Sequence, residues 1–223
     1  MNFASMNMTA KIRQIEDFVR PMMTAVIAHD FKHVDRVRRW AIRIAEAEGY
    51  PNLEIVQAAT LLHDIGLIKD AGRRHAEIGA EMAGLFLKGQ CLFATDQIDE
   101  IVSAIRDHSS LNGKGKLYEI LQDADGLELF GAVGILRAIS SKGTQTDYEE
   151  GNVKGTTWEM SSTGFTKRFQ SGAGIGKNIT DQLNFQISCY ENLHTKSAKE
   201  IAMPMVTYMR EFLIRLDAEV SWL

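Results

Sequence analysis

One of the most apolar runs in the sequence, AATLLHDIG, ends on a histidine beside a carboxylate, His63 and Asp64. Burying an ionised carboxylate costs several kcal/mol or more unless a cation or a metal compensates for it. The plainer interpretation is that a helix ends here, that both side chains reach solvent and that Gly66 stops the helix. A single His-Asp pair does not decide between the two interpretations, so the rest of the chain must supply partners.

The histidines provide such partners, because five of the six lie in the first half of the chain, at or near predicted helix ends. They are His29, His33, His63, His75 and His108. His29 and His33 are four residues apart in HDFKH, which predicts that both lie on one face of a helix. Further along, QDADG places Asp123 and Asp125 before the apolar run GAVGIL. Each histidine alone is typical of a cap or a surface position, but the ordered series could surround one carboxylate.

The elements that would position these residues are helices, and the sequence predicts an all-α fold. Apolar residues recur at helical spacing almost throughout, with Pro21 marking a break after the first helix. Asp30 and Asn52 are placed to cap the second and third helices. The third helix contains AATLL and is apolar nearly all round, which predicts a central position. Residues 117–139 are expected to form a sixth helix, long or broken at its glycines, with the two aspartates of QDADG towards its start.

A segment rich in Gly, Ser and Thr, residues 141–177, interrupts the helical pattern. It is longer than an ordinary connection, so we expect it to be irregular and either functional or mobile. Trp158, Phe165 and Phe169 indicate that part of it folds back onto the body. Its SGAGIGK stretch is not a phosphate loop, because the spacing is one residue short and no Ser or Thr follows the lysine. We expect one domain over 1–223, with a core at about 19–140 and closing helices at 179–220.

Composition limits the classes of partner. The chain has 223 residues, 45% of them hydrophobic, and a net charge of -4, so no basic surplus predicts nucleic-acid binding. Two cysteines without a CxxC pattern favour a reducing compartment. No segment approaches the ~20 apolar residues of a membrane span, and no signal peptide is visible. We therefore expect a cytoplasmic protein with a small-molecule partner and no membrane association.

The sequence resembles the HD-domain metal-dependent phosphohydrolase superfamily, whose motif is a His, a His-Asp pair and a distant Asp. The matching residues are His33, His63 with Asp64, and Asp125. HDFKHVDRV, LLHDIG, HAEIGA, DHSS and LQDADGLELFGAVGILRAI are similar to a bacterial and archaeal group that includes nucleoside triphosphate pyrophosphohydrolases. The resemblance implies an HD-domain helical bundle and a divalent metal held by these four residues. It also implies a phosphorylated substrate, in particular a nucleotide.

Two imidazoles and two carboxylates suit Mn²⁺, Co²⁺, Fe²⁺, Zn²⁺ or Mg²⁺. Such an ion would make bound water a better nucleophile, and Asp64, beside His63, would orient that water or act as its base. His75 and His108 would hold either a second metal or the substrate phosphate, or would be polar residues facing the cleft. Lys69, Arg73 and Arg74 could neutralise that phosphate, although each could equally be a solvated surface residue.

Three classes of function follow from this pattern. The leading hypothesis is a hydrolase that cleaves a phosphoester or phosphoanhydride bond of a nucleotide by attack of a metal-activated water. The alternatives are a di-iron oxygenase, which the two extra histidines would allow, and a nucleotide-sensing module without turnover, which the intact ligand set disfavours. Fold alone does not separate these classes, so the ligand set carries the interpretation.

Overall fold

The computed structural model describes residues 9–24, 28–70, 72 and 74–222, and over these residues the protein is all-α, as predicted. The described residues contain no β-strand beyond isolated bridges. None of their helices combines the length and the apolar character needed to cross a membrane. The helices are α1 (Ala10–Val19), α2 (Phe31–Ala47), α3 (Leu53–Leu62), α4 (His75–Gly89), α5 (Thr95–Asp107), α6 (Lys116–Leu127), α7 (Gly131–Ser141), α8 (Ser162–Gln170), α9 (Ile179–Ser188) and α10 (Lys196–Ser221).

The chain divides into two compact units, and the first extends to Ala124. Its centre is α3, which packs against α1, α2 and α5 and also touches α4. Seven of the ten residues of α3 are buried, so the prediction of a central third helix is confirmed. Because α3 is surrounded by other helices, the residues that directly follow it are delivered into the interior of the unit.

Helix caps in the first unit follow the sequence signals. The Asp30 side chain accepts a hydrogen bond from the His33 backbone N–H at 3.1 Å, and Asn52 accepts one from Ile55 at 3.4 Å. Side-chain caps of this kind satisfy N–H groups that have no partner within the helix. His63 is the C-cap of α3 and His108 that of α5. The predicted helix boundaries at His63, His75 and His108 are therefore confirmed.

A short 3₁₀ helix, Ile65–Ile68, lies directly against the start of α4. A Cβ atom added to Gly66 would stand 2.0 Å from the carbonyl oxygen of His75 and 2.6 Å from the backbone nitrogen of Gly79. Only glycine allows two backbones to approach so closely. Gly66 therefore does more than stop a helix, because it sets the position of the first turn of α4 and of His75.

The second unit begins at Asp125 and contains the end of α6 together with α7 to α10. Within it, α7, α9 and α10 pack against one another, and α8 packs on α9. The expectation of one unbroken irregular segment over 141–177 is wrong, because Ser162–Gln170 form α8. Phe165 of this helix is buried against Phe185, with ring centroids 5.3 Å apart, so part of the segment does fold onto helical structure.

The rest of that segment is organised by a buried carboxylate, Asp181, in the first turn of α9. Its Oδ1 accepts hydrogen bonds from the Thr157 hydroxyl at 2.8 Å and from the Thr157 backbone N–H at 3.3 Å. Gly155, with φ +87°, passes so close that a Cβ there would lie 2.8 Å from the same oxygen. Asp181 thus fastens the loop around residues 155–157 to α9.

Candidate metal centre

The side chain of Asp64 lies at the centre of a cluster of histidines in the first unit. The residue follows α3 directly and is only 2% exposed. Its Oδ2 lies 2.8 Å from His29 Nδ1, 3.3 Å from His63 Nε2 and 3.4 Å from His33 Nε2. Its Oδ1 lies 3.6 Å from His108 Nε2. Four imidazoles from different parts of the chain therefore converge on one buried carboxylate.

These side chains are delivered by helix ends. His33 stands in the first turn of α2, His63 caps α3, His75 is the first residue of α4 and His108 caps α5. His33, His63 and His108 are buried. Helix ends can bring side chains from four helices to one point without breaking intrahelical hydrogen bonds, which explains why the predicted ligands lie at element boundaries.

In three of the imidazoles the ring nitrogen Nδ1 hydrogen-bonds a backbone carbonyl, and this bond fixes the orientation of the ring. Nδ1 of His63 donates to the Thr60 carbonyl at 2.7 Å, and Nδ1 of His108 donates to the Ile105 carbonyl at the same distance. His75 repeats the pattern with the Gly72 carbonyl at 2.9 Å. A carbonyl oxygen can only accept, so Nδ1 carries the hydrogen in each case. Hydrogen bonds of this kind orient histidine ligands in metal sites and leave Nε2 as the coordinating atom.

This arrangement fits a divalent cation. In a neutral imidazole whose Nδ1 carries the hydrogen, Nε2 presents a lone pair, and in His63 and His108 that lone pair faces an oxygen of Asp64. Two electron-rich atoms at 3.3–3.6 Å repel one another unless a proton or a metal ion lies between them. Nitrogen and oxygen donors together suit borderline divalent ions such as Mn²⁺, Fe²⁺, Co²⁺ and Zn²⁺.

The pKa of Asp64 reflects the same surroundings. Burial opposes the charged form of the carboxyl, but the nearby histidines, led by His63, outweigh burial and hold its pKa well below the usual value. This direction favours the ionised carboxylate, which is the form that can bind a cation.

The two oxygens of Asp64 face two different groups of potential ligands. The donor atoms of His29, His33 and Asp64 all lie within 4.8 Å of one another, and so do those of Asp64, His75 and His108. The rings of His75 and His108 are in contact, with centroids 5.3 Å apart. A carboxylate shared between two such groups has the geometry expected of a ligand that could bridge two ions.

Comparison with known proteins identifies the domain that contains this cluster. Residues 20–129 match the HD domain family. The chain therefore contains an HD domain over these residues. A protein predicted to be an HD superfamily hydrolase, from an uncultured Thermotogales bacterium, is 28% identical, with a TM-score of 0.63 over 93% of this chain and 91% of its own. An HD-superfamily hydrolase from Bacillus thuringiensis shares the fold, with a TM-score of 0.66 at 22% identity over 94% and 96% of the two chains.

YpgQ of Bacillus subtilis (strain 168) is also similar. It is 31% identical over 137 residues, which are 59% of this chain and 66% of YpgQ, slightly less than two thirds of that protein. The structure of YpgQ in complex with ADP has a TM-score of 0.64 at 22% identity and covers 94% of each chain. Together these relatives support an HD-type hydrolase fold.

Four further residues of the HD domain were predicted as site residues, namely Asp125, Lys69, Arg73 and Arg74. Asp125 lies in the last turn of α6, not towards the start of a helix as expected, and its role as a metal ligand stays a prediction. Lys69 is exposed after the 3₁₀ helix. Arg74 is exposed and pairs with Glu77, with Nε 3.2 Å from Oε2. Arg73 lies outside the described residues.

His29 is a member of the cluster that the sequence does not predict as a site residue. The expectation that His29 and His33 share one helical face is wrong, because α2 begins at Phe31 and His29 precedes its cap, Asp30. The two rings nevertheless meet, with centroids 5.1 Å apart, and His29 makes the shortest contact of the four with Asp64. The four-residue spacing of the two histidines in HDFKH was the sequence signal that could have indicated His29. The rings meet because the chain bends before α2, and not because both residues lie on one helix.

Proposed function

We propose that this HD-domain protein is a metal-dependent phosphohydrolase that cleaves a phosphoester or phosphoanhydride bond of a nucleotide. The observation that carries the proposal is the convergence of imidazole Nε2 atoms on the buried, ionised carboxylate of Asp64. His33, His63 and Asp64 would hold the ion. Asp125 is the proposed fourth ligand, on the basis of the HD sequence motif.

A bound divalent ion would lower the pKa of a water molecule and draw charge from a phosphoryl oxygen. The chain itself contributes orientation and proton transfer. The His63 imidazole is held by its hydrogen bond to the Thr60 carbonyl, so it cannot rotate away. Asp64, through an oxygen that is not bound to the ion, would orient the attacking water or accept its proton.

The nucleotide part of the proposal rests on charge and on similarity. YpgQ has been observed with ADP, and the two chains share the fold. Lys69 and Arg74 are exposed on the connection between the 3₁₀ helix and the beginning of α4, where His75 enters the cluster. The Arg74–Glu77 pair is exposed on both sides, so it contributes little and can be exchanged for a phosphate contact. Arg73 is proposed for the same role from the sequence.

Within this function, His75 and His108 could have either of two roles. With Asp64 they form a second group that could bind an ion, and Asp64 would then bridge two metals. Otherwise they would contact the substrate phosphate while one ion serves the site. The same second group is the observation that favours the alternative function, a di-iron oxygenase, so the number and identity of the bound metals must be measured along with activity.

The test is a panel of nucleoside mono-, di- and triphosphates with Mn²⁺, Co²⁺ and Mg²⁺, in which released phosphate and pyrophosphate are both measured. We expect metal-dependent release of one of these products, abolished in Asp64→Asn and retained in Asp99→Asn, a matched change on the exposed face of α5. Oxygen uptake by iron-loaded protein, with no hydrolysis under any metal, would favour the oxygenase. Tight nucleotide binding without either reaction would favour a sensing module.

A further inference from the structure

His29 differs from the other histidines that contact Asp64. Its side chain is 39% exposed, whereas those of His33, His63 and His108 are almost completely buried. It contacts Asp64 through Nδ1 and not through Nε2, and at 2.8 Å this contact is the shortest that the carboxylate makes with a histidine. The difference in atom, distance and exposure indicates a different role.

The direction of this hydrogen bond follows from the carboxylate. A carboxylate that binds a metal ion carries no hydrogen, so in the proposed metal centre His29 Nδ1 would be the donor and Asp64 Oδ2 the acceptor. A distance of 2.8 Å is typical of a hydrogen bond to a charged acceptor, which is about twice as strong as one between neutral groups.

The backbone around His29 is built to hold this contact. Ala28 has φ 65°, a left-handed conformation that is uncommon for a residue with a side chain. On the other side, Asp30 caps α2, and the Phe31 N–H donates to the Met23 carbonyl at 2.8 Å. Strained backbone of this kind is often found at functional sites, where it fixes a side chain in place.

We propose that His29 is a positioning residue of the metal centre, whose Nδ1–H holds the Oδ2 atom of Asp64 in the orientation that serves the ion. The inference rests on the metal centre of the proposed function. Without the hydrogen bond, the Asp64 side chain could turn about its χ2 angle and expose Oδ2 to other contacts. Loss of an outer partner of this type typically weakens metal affinity or activity by about 10–100-fold.

The size and position of the donor give a sharp prediction for three substitutions. In His29→Asn the side-chain amide places an N–H close to the position of Nδ1, whereas in His29→Gln the amide reaches the position of Nε2. His29→Ala has no donor. We therefore expect Mn²⁺ affinity near that of the unmodified protein in His29→Asn and about 10–100-fold weaker affinity in His29→Ala and His29→Gln.

Affinity is measured on Mn²⁺-loaded protein equilibrated against chelator buffers that set the free metal concentration, with bound metal counted by mass spectrometry. His194→Ala, an exposed histidine in the second unit, is the matched control, and thermal unfolding checks the fold of each variant. kcat and KM are measured in parallel at saturating metal.

The proposal is supported if His29→Asn keeps the Mn²⁺ affinity of the unmodified protein while His29→Ala and His29→Gln bind Mn²⁺ more weakly. Equal affinity in His29→Ala and the unmodified protein overturns it. So does a His29→Asn variant as weak as His29→Ala, because the hydrogen-bond donor would then not be what matters. A raised KM with unchanged metal affinity would assign His29 to the substrate instead. If the unmodified protein binds none of Mn²⁺, Fe²⁺, Co²⁺ and Zn²⁺, the metal centre itself is refuted, a result distinct from failure of the His29 variants.

Discussion

Gly66→Ala tests how the fold delivers His75 to the candidate metal centre. The added Cβ would stand 2.0 Å from the His75 carbonyl oxygen and 2.6 Å from the Gly79 nitrogen, and both of these are backbone atoms. A carbon and a carbonyl oxygen ordinarily approach to about 3.3 Å, so the start of α4 must retreat by roughly 1 Å. Since no flexible side chain can absorb this shift, α4 must move relative to the 3₁₀ helix.

The cost has two parts that can be measured separately. Overpacking a buried contact typically costs 1–3 kcal/mol, and a clash of two backbones belongs at the upper end, so we expect the free energy of unfolding to fall by about 3 kcal/mol. A displacement of 1 Å in a site can lower the rate about 100-fold. Urea unfolding measures the first effect, and kcat/KM of the protein that remains folded measures the second.

The other end of the same helix provides the control. A Cβ added to Gly89 meets nothing within 4 Å, and Gly89 is the last residue of α4. Gly89→Ala should therefore leave activity unchanged and alter stability by no more than about 1 kcal/mol, in the favourable direction, because alanine is the better helix former. If Gly66→Ala were as stable and as active as Gly89→Ala, the argument that Gly66 positions His75 would be refuted.

Three further changes test the site directly. Asp64→Asn keeps the shape of the side chain but removes its charge, and we expect loss of bound metal and of turnover, measured by metal analysis and by product release. Arg73→Ala combined with Arg74→Ala should raise KM with little effect on kcat if both contact only phosphate, and unchanged kinetics would make them surface residues. His108→Ala separates one metal from two. We expect unchanged metal content and weakened substrate binding, and loss of one of two bound ions would contradict a one-metal resting site.

The sequence was sufficient to predict which helix ends carry the site. Asn52 and the apolar run before His63 define α3 at both ends, and His75 and His108 fall at boundaries that periodicity makes clear. Helical periodicity could not predict that these residues converge on Asp64, because convergence depends on how α2, α3, α4 and α5 pack against one another. The periodicity of one helix contains no information on which helix ends meet. Only the family resemblance indicated that they do.

Two of the incorrect predictions have local physical causes. His29 was assigned to the helical face of His33, although Asp30 was recognised as a cap, and a residue before the cap cannot follow the helical spacing. The helix α8, STGFTKRFQ, was missed because it buries only Phe165 and therefore has no repeating apolar stripe. Its stability comes from packing on α9, where Phe185 meets the rings of Phe165 and Phe169. Tertiary contacts override weak local propensity in such short helices.

The charge balance around Asp64 bears on how the neighbouring histidines could serve a metal ion. The ring centroids of His33 and His63 are 5.5 Å apart, so two cations at these positions would repel one another in the buried site. One divalent ion would bring two positive charges to a single point and could accept a lone pair from each imidazole at once. His33 and His63 are therefore better suited to act together as neutral ligands of an ion than as a pair of cations.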